Sequence, residues 1–443
     1  MLIHHIIKDN SSSGPADRIC LIHGNTRLTY GELDRQTDCL ARRLAMHIHK
    51  GDRVLVKLSD PVKQLLYFFG VVKAGGACIL TDASSSEEVN AELIRLHKLD
   101  LYINESFELS TAEAPTLPEI RLQDTFLGAL SSGSTGIPKL VWRDHTSWTS
   151  AFPAQSQVFD ICGTDTVYLA GSLSYTANLN ACLHSFFEGG TVAIGSNSMP
   201  RTWVREITDC QASVIFMVPV NYRRLLKAME APYVSIKSII SAGAKLDLNT
   251  LQSLMQYFPR SGIYEYYGAS ELGHVSYLTG EELLNHPGSV GRSFPGVTIR
   301  IEEQVIWVES PYLAPAYRTK ASVGDLGRID DEGYLYLLGR KQGLINTGGV
   351  KVIPEQVEDI LIQCPGVAEA AVIGVYDPMR GQKVCACLVK SNNSLRTMDV
   401  IDFCRRKMLR SCCPQKIVFI DAMPINANGK IDRGRLREEY GCY

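Results

Sequence analysis

Two stretches of the chain, far apart in sequence, carry residue types that make chemical sense together. The first is Ser131-Ser132-Gly133-Ser134-Thr135-Gly136-Ile137-Pro138-Lys139, and the second is Asn426-Ala427-Asn428-Gly429-Lys430-Ile431-Asp432. A loop rich in glycine and hydroxyl side chains leaves backbone N–H groups open and adds O–H donors, which suits phosphate oxygens. A lysine on a turn is a point charge that can be carried to negative charge developing in a reaction. Together they point to a nucleotide enzyme that brings in a lysine from a second domain. The loop lacks the G-x-x-x-x-G-K-[ST] spacing, so a Walker-type NTPase is disfavoured.

The elements that must position these residues alternate in type. Cys20 to His23 and Leu28 to Tyr30 flank Gly24-Asn25 and read as a hairpin. Tyr30 to His47 has helical spacing, with Leu33, Thr37, Leu40 and Leu44 on one stripe and Thr29 as cap. Strands are expected at Arg53 to Leu58, Ala77 to Leu80, Phe126 to Leu130, Thr166 to Ala170, Thr191 to Ile194, Val214 to Val218 and Ser238 to Ser241, with a helix from Pro61 to Ala74. Ser84 to Asn90 and Glu105 to Glu119 are polar and weakly patterned and read as surface connections. Strands alternating with helices of this length give an α/β architecture with mainly parallel sheet. After Tyr334 to Leu338 the composition shifts. A small α+β unit follows: a helix from Pro354 to about Gln363, strands Ala368 to Gly374, Lys383 to Lys390 and Lys416 to Ile420, and a helix from Met398 to Leu409. The reading is therefore a large N-terminal domain, residues 1–340, and a small mobile C-terminal domain, residues 341–443.

Bulk composition fits a cytoplasmic enzyme. The 443 residues carry 45 basic and 47 acidic side chains, a net charge of −2 that argues for neither nucleic acid nor a polybasic membrane anchor. No apolar run approaches the ~20 residues of a transmembrane helix, and the start at Met1-Leu2-Ile3-His4-His5 opens no signal peptide. The 13 cysteines are an odd number, and Cys385-Ala386-Cys387 and Cys412-Cys413 lack zinc-site spacing. They read as reduced, mostly buried thiols.

The loop Ser131 to Lys139 resembles the phosphate-binding signature of the adenylate-forming superfamily: acyl- and aryl-CoA synthetases, nonribosomal adenylation domains and firefly luciferase. Seven further segments resemble that family's motifs in the family's order. They are Thr29-Tyr30-Gly31-Glu32-Leu33, Lys73-Ala74-Gly75-Gly76-Ala77, Ser241-Ala242-Gly243-Ala244, Tyr266-Tyr267-Gly268-Ala269-Ser270-Glu271, Gly324-Asp325-Leu326-Gly327, Gly339-Arg340 through Gly348-Gly349, and Asn428-Gly429-Lys430. One match would be weak, but the ordered set spans nearly the whole chain.

The resemblance implies ATP, Mg²⁺ and a carboxylic acid as substrates and cofactor, and assigns roles that the residue types can perform. Ser132, Gly133, Ser134, Thr135, Gly136 and Lys139 would hold phosphates, Gly243 and Ala244 the adenine edge, and Tyr267 with Gly268 the adenine face. Ser270 would donate to the α-phosphate, and Glu271 would ligate Mg²⁺ as a hard oxygen donor. Asp325 would accept from the ribose hydroxyls, with Arg340 reaching the same sugar. Lys430 would stabilise the charge of the adenylation transition state, and Gln342 would be the pivot of the C-terminal domain. The chain departs from the family in places. Ser131 and Ser134 replace the usual Thr, a mild change that keeps the hydroxyl, and Leu140 replaces a usual Gly and alters the backbone approach there. Gln342 replaces a usual Asp or Lys, which removes a charge while permitting a pivot, and Gln356 replaces a usual Glu.

Amino-acid-activating relatives carry an Asp in the segment matching Leu173 to Asn180, and this chain has no acid there. Burying an ammonium without a counter-charge is costly, so an α-amino acid is disfavoured and a fatty or aryl acid expected. Tyr175, Asn178 and Asn180 are the candidate pocket residues, the two asparagines serving either substrate or local backbone. Gly348 and Gly349 sit where relatives line a pantetheine tunnel. The acceptor is then free CoA or, as runner-up, the phosphopantetheine arm of a separate carrier protein. A non-catalytic acyl- or nucleotide-binding relative is the less favoured third reading, because Lys430, Glu271 and Asp325 are all present.

Overall fold

The structure, a computed structural model, describes all residues except 14–16, 113, 115, 132–137, 348–349, 393, 426–430 and 442–443, and only the backbone of Ser13 and Gln342. It divides into two compact units. The first comprises the described chain up to Ile299 together with Val308–Ala321, and the second comprises Arg300–Trp307 and the chain from Ser322 onward. Mixed α/β sheets make up the larger unit, and a smaller unit follows.

The first unit holds two sheets. One runs in the order Leu101–Ile103, Arg53–Val56, Ala77–Leu80, Thr125–Ser131, Lys139–Asp144, parallel except for the last pair. The other runs Ser289–Ser293, Gly273–Thr279, Gly262–Ala269, Ser238–Ala242, Val214–Met217, Thr166–Leu169, Thr191–Ile194, Ile19–His23, Thr26–Thr29. Its neighbours are parallel from Gly262–Ala269 through to Ile19–His23. Ala77–Leu80 and Val214–Met217 are buried along their whole length, as parallel strands covered on both faces must be.

Local chemistry explains the boundaries. The expected hairpin forms, Ile19–His23 pairing antiparallel with Thr26–Thr29. Thr29 caps the helix Tyr30–Leu44 in a reciprocal box: Glu32 N–H donates to Thr29 Oγ1 over 3.1 Å, and Thr29 N–H donates to Glu32 Oε2 over 2.9 Å. That helix ends at Leu44 rather than His47, because the bonds beyond it tighten to three-residue spacing, Met46 N–H donating to the Arg43 carbonyl over 3.2 Å and His47 N–H to the Leu44 carbonyl over 2.8 Å. Asp60 caps Pro61–Lys73, with proline at the first helical position. The connection expected over Ser84 to Asn90 is corrected: Ser86 caps a helix at Glu87–His97. Its apolar pattern is weak because Asn90, fully buried, takes a core position and accepts from Ser85 Oγ over 3.0 Å.

In the second unit, Val367–Asp377 and Gly381–Lys390 form a long antiparallel hairpin, with Lys416–Ile420 parallel to Gly381–Lys390. Strand alternation divides its core. Val372, Val384, Ala386 and Leu388 pack with Val357 and Leu361 of the helix Pro354–Leu361 and with Val400 and Cys404 of the helix Thr397–Lys407. Ala371, Ile373, Cys385 and Cys387 face Leu436 of the helix Arg433–Tyr440. Cys385 and Cys387 thus share one apolar face as core thiols.

Candidate functional site

The strand Gly262–Ala269 carries Tyr267 and Gly268 to its end, and its pairing with Gly273–Thr279 shifts register between those two residues. Such a bulge re-aims the side chains that follow it. A Cβ on Gly268 would lie 2.4 Å from the Gly273 carbonyl oxygen, so only glycine fits the turn. Ser270 and Glu271 occupy the turn itself. Their backbone is held from below: Arg143 Nη1 donates to the Ser270 carbonyl over 2.8 Å, and Ala314 N–H donates to the Glu271 carbonyl over 2.9 Å.

Arg143 is fully buried on the strand Lys139–Asp144. Its Nη2 donates to the carbonyls of Ser147 at 2.6 Å and Tyr312 at 2.7 Å, and the guanidinium lies 5.2 Å from the Trp148 ring. Burial lowers its pKa to about 10 and the neighbouring Asp144 opposes that shift, so it stays cationic at neutral pH. Asp144 is held in turn by Arg318 Nη2 at 2.7 Å. With its carbonyl occupied, Glu271 leaves a half-buried carboxylate that makes no hydrogen bond or ion pair among the described residues.

The neighbouring strand Ser238–Ala242 pairs in parallel with Gly262–Ala269, Ala242 opposite Tyr266. Gly243 follows with φ +84, and a Cβ there would lie 2.2 Å from the Tyr175 hydroxyl. The candidate adenine turn and the candidate substrate gate are therefore in direct contact, Tyr175 standing at the N-cap of the helix Thr176–Glu188. The turn through Gly243, Ala244 and Lys245 is anchored where the Leu246 N–H donates to Glu265 Oε2 over 2.7 Å. Burial raises the Glu265 carboxyl to about 7.

The other candidates separate by unit. Ser131 and Lys139 are register partners at the mouth of a hairpin, and Lys139 is exposed. Ser132, Gly133, Ser134, Thr135 and Gly136 between them lie outside the described residues, as do Gly348, Gly349 and Lys430. In the second unit Asp325 and Arg340 are register partners, joined by an ion pair of 2.9 Å from Arg340 Nε to Asp325 Oδ1. Gln342 lies in the one-turn 3₁₀ helix Lys341–Gly343.

The two asparagines part company. Asn178 Nδ2 donates to the Ser172 carbonyl over 2.9 Å, so its amide serves the local backbone. Asn180 lines a narrow cavity with Gln155, His184, Tyr266 and His274, between the sheet and the helices Phe152–Phe159 and Thr176–Glu188. Sequence reasoning missed Arg143, Glu265 and Gln155. The available signals were alternation, which puts Arg143 on the buried side with Val141, and the four-residue spacing of Asn180 and His184.

The sequence matches the AMP-binding enzyme family over residues 8–126 and 94–317, and the AMP-binding enzyme C-terminal domain over residues 356–430. It is 29% identical over 475 residues to the uncharacterised acyl–CoA ligase YhfT of Bacillus subtilis, covering 99% of this chain and 98% of that one. Among solved structures it resembles o-succinylbenzoate CoA synthetase (MenE) of Bacillus subtilis in complex with the acyl-adenylate intermediate OSB-AMP. That likeness has a TM-score of 0.86 at 23% identity and covers 98% and 97% of the two chains. The same enzyme with ATP and a magnesium ion gives 0.85 at 24% identity, over 98% and 99%. The chain belongs to the AMP-binding enzyme family.

Proposed function

We propose that the protein is an AMP-forming acid–thiol ligase. It joins a carboxylic acid to the α-phosphate of ATP with loss of pyrophosphate, then passes the acyl group from the adenylate to the thiol of CoA. The observation that carries this reading is the turn pinned by Arg143. It holds the backbone that carries Ser270 and Glu271 at the end of a strand whose neighbour, Ser238–Ala242, leads into Gly243, against Tyr175. Rigid backbone beneath a polar turn is what a preorganised phosphate site requires. A carrier-protein phosphopantetheine remains the alternative acceptor, and the likeness to an acyl–CoA ligase of Bacillus subtilis supports CoA.

The residues present fit a magnesium ion. Among the described residues no group of three metal-ligating side chains exists, and Glu271 offers a single carboxylate without a protein partner. Mg²⁺ commonly takes one or two carboxylates, with the remaining positions filled by phosphate oxygens and water. When bound it would neutralise phosphate charge. The chain's own part is to hold Glu271 through the Ala314 N–H and to present Ser270 to the α-phosphate.

Lys430 supplies the mobile charge in this reading, carried by a C-terminal domain of residues 341–443 that pivots at Gln342 between the two half-reactions. ATP–pyrophosphate exchange with a panel of carboxylic acids and Mg²⁺ tests the proposal. Acid-dependent exchange that Glu271→Ala lowers ~10²-fold or more is expected, and absence of exchange with every acid removes the reading. The described residues contain no helix long and apolar enough to cross a membrane.

A further inference from the structure

Both flanks of the segment that carries Lys430 are anchored. Ile425 and Ile431 face each other as an antiparallel bridge, and Asp432 N–H donates to the Pro424 carbonyl over 2.8 Å, so the chain leaves and returns at one place. Ile431 packs on the apolar face built from Ala371, Ile373, Cys385 and Cys387, where Leu436 of the helix Arg433–Tyr440 is fully buried. Asp432 caps that helix, accepting from the Arg435 N–H over 3.0 Å.

The next residue is clamped. Arg433 Nη2 donates to both carboxylate oxygens of Glu358, over 2.8 and 2.7 Å, and Glu355 Oε1 lies 3.9 Å from the same nitrogen. Glu358 is fixed in turn. Its side chain is 13% exposed on the helix Pro354–Leu361, and its Oε1 accepts from the Val372 N–H over 2.6 Å. Burial pushes the Glu358 carboxyl above its ordinary range, and the Arg433 guanidinium opposes that shift. One carboxylate thereby ties the chain three residues past Lys430 to a helix and to the strand Val367–Asp377.

A buried ion pair of this kind adds little stability over apolar side chains of the same size, and its attested use is to fix one arrangement of the chain. Lys430 is bonded to Ile431, so the arrangement fixed here decides where the lysine side chain begins. An ammonium acts on a transition state only from a held base, and a misplacement of about 1 Å can cost up to about 10²-fold in rate.

Given the ligase reading and the role of Lys430 above, we propose that Glu358 and Arg433 are positioning residues for that lysine. Their ion pair sets the base of its turn for adenylate formation and takes no part in thioester formation.

The test separates the half-reactions. ATP–pyrophosphate exchange reads the first, and thioester formation from supplied acyl-adenylate and CoA reads the second. Arg433→Met should lower exchange about tenfold and leave the second step within about twofold of the parent. It also strands the Glu358 carboxylate, so the variant should unfold at a lower temperature. The double variant Arg433→Met, Glu358→Gln strands no charge; it should regain thermal stability but not exchange. Arg433→Lys keeps a cation beside Glu358 and should regain most of the exchange lost in Arg433→Met. Exchange that returns with stability in the double variant, exchange unchanged in Arg433→Met, or equal slowing of both steps overturns this assignment and leaves the ligase reading standing. No exchange by the parent with any acid of a carboxylate panel removes the ligase reading and this one with it.

Discussion

Arg143 and Ser270, 127 positions apart in sequence, are joined by a hydrogen bond of 2.8 Å from the guanidinium to a backbone carbonyl. One buried cation thereby ties the strand Lys139–Asp144 to the turn that carries Ser270 and Glu271. It satisfies three carbonyls at once, Ser270 from Nη1 and Ser147 and Tyr312 from Nη2, a spread of donors over two nitrogens that the single nitrogen of an ammonium does not reproduce.

Arg143→Lys should therefore destabilise the first unit by about 2–4 kcal/mol, because buried carbonyls lose their donors. In the folded population, pyrophosphate exchange should fall ~10-fold or more as the turn carrying Ser270 and Glu271 loosens. Thermal unfolding and exchange kinetics read the two effects. Unchanged exchange in the lysine variant would show that the turn holds itself.

Gly243 and Tyr175 can be tested as a pair. Gly243→Ala places a methyl against the Tyr175 hydroxyl at a backbone φ of +84, and the left-handed conformation alone costs about 1–2 kcal/mol. Tyr175→Phe removes the oxygen that the methyl meets. The double variant should recover part of the stability lost by Gly243→Ala, and the coupling should exceed about 0.5 kcal/mol. Strictly additive effects would mean the two residues do not touch.

Glu265 gives the fold a pH dependence of definite sign. Its carboxyl stays protonated in the folded protein up to about 7, against an ordinary value of 4.5. Between those values the unfolded chain has released the proton and the folded chain has not, so stability falls as pH rises through that window. Above it the loss is complete. Glu265→Gln keeps an acceptor for the Leu246 N–H without ionising. Relative to the parent it should gain up to about 3 kcal/mol between pH 5 and pH 8. Parallel stability–pH curves for parent and variant would contradict this.

Much of the scaffold was legible because its signals are local. Thr29 as a cap and Pro61 as a helix start are such signals, and the structure places both, with Glu32 and Asp60 completing the caps. The helix from Glu87 was not legible. One of its two buried positions, beside Leu93, is filled by Asn90, which is held by Ser85 and Thr81 of the preceding connection and by Tyr102 of the following strand. Arg143 escaped because two of its three carbonyl acceptors, Ser270 and Tyr312, come from distant segments. The proximity of Tyr175 to Gly243 needs a helix and a strand to meet, and no spacing encodes it. Asn178 shows the converse, a polar residue in a suggestive segment whose amide is taken up six residues away by Ser172.

Lys430 and Gly349 should divide the two half-reactions. Lys430→Ala should slow adenylate formation ~10²-fold or more, because it removes a charge felt most strongly in the first transition state. Thioester formation from supplied acyl-adenylate should be nearly unaffected. Gly349→Leu should spare exchange and block the thiol step by steric bulk. Equal loss of both steps in folded Lys430→Ala would remove its assignment as the catalytic lysine.

The central claim is the sequence of an adenylate followed by a thioester, and product analysis tests it most directly. The protein would be incubated with ATP, Mg²⁺, CoA and an acid that supports exchange, and its products separated by mass spectrometry. The account predicts AMP, pyrophosphate and acyl-CoA in equal amounts, with acyl-adenylate accumulating when CoA is omitted. Release of ADP and phosphate, or AMP formed without any acyl product, would contradict it.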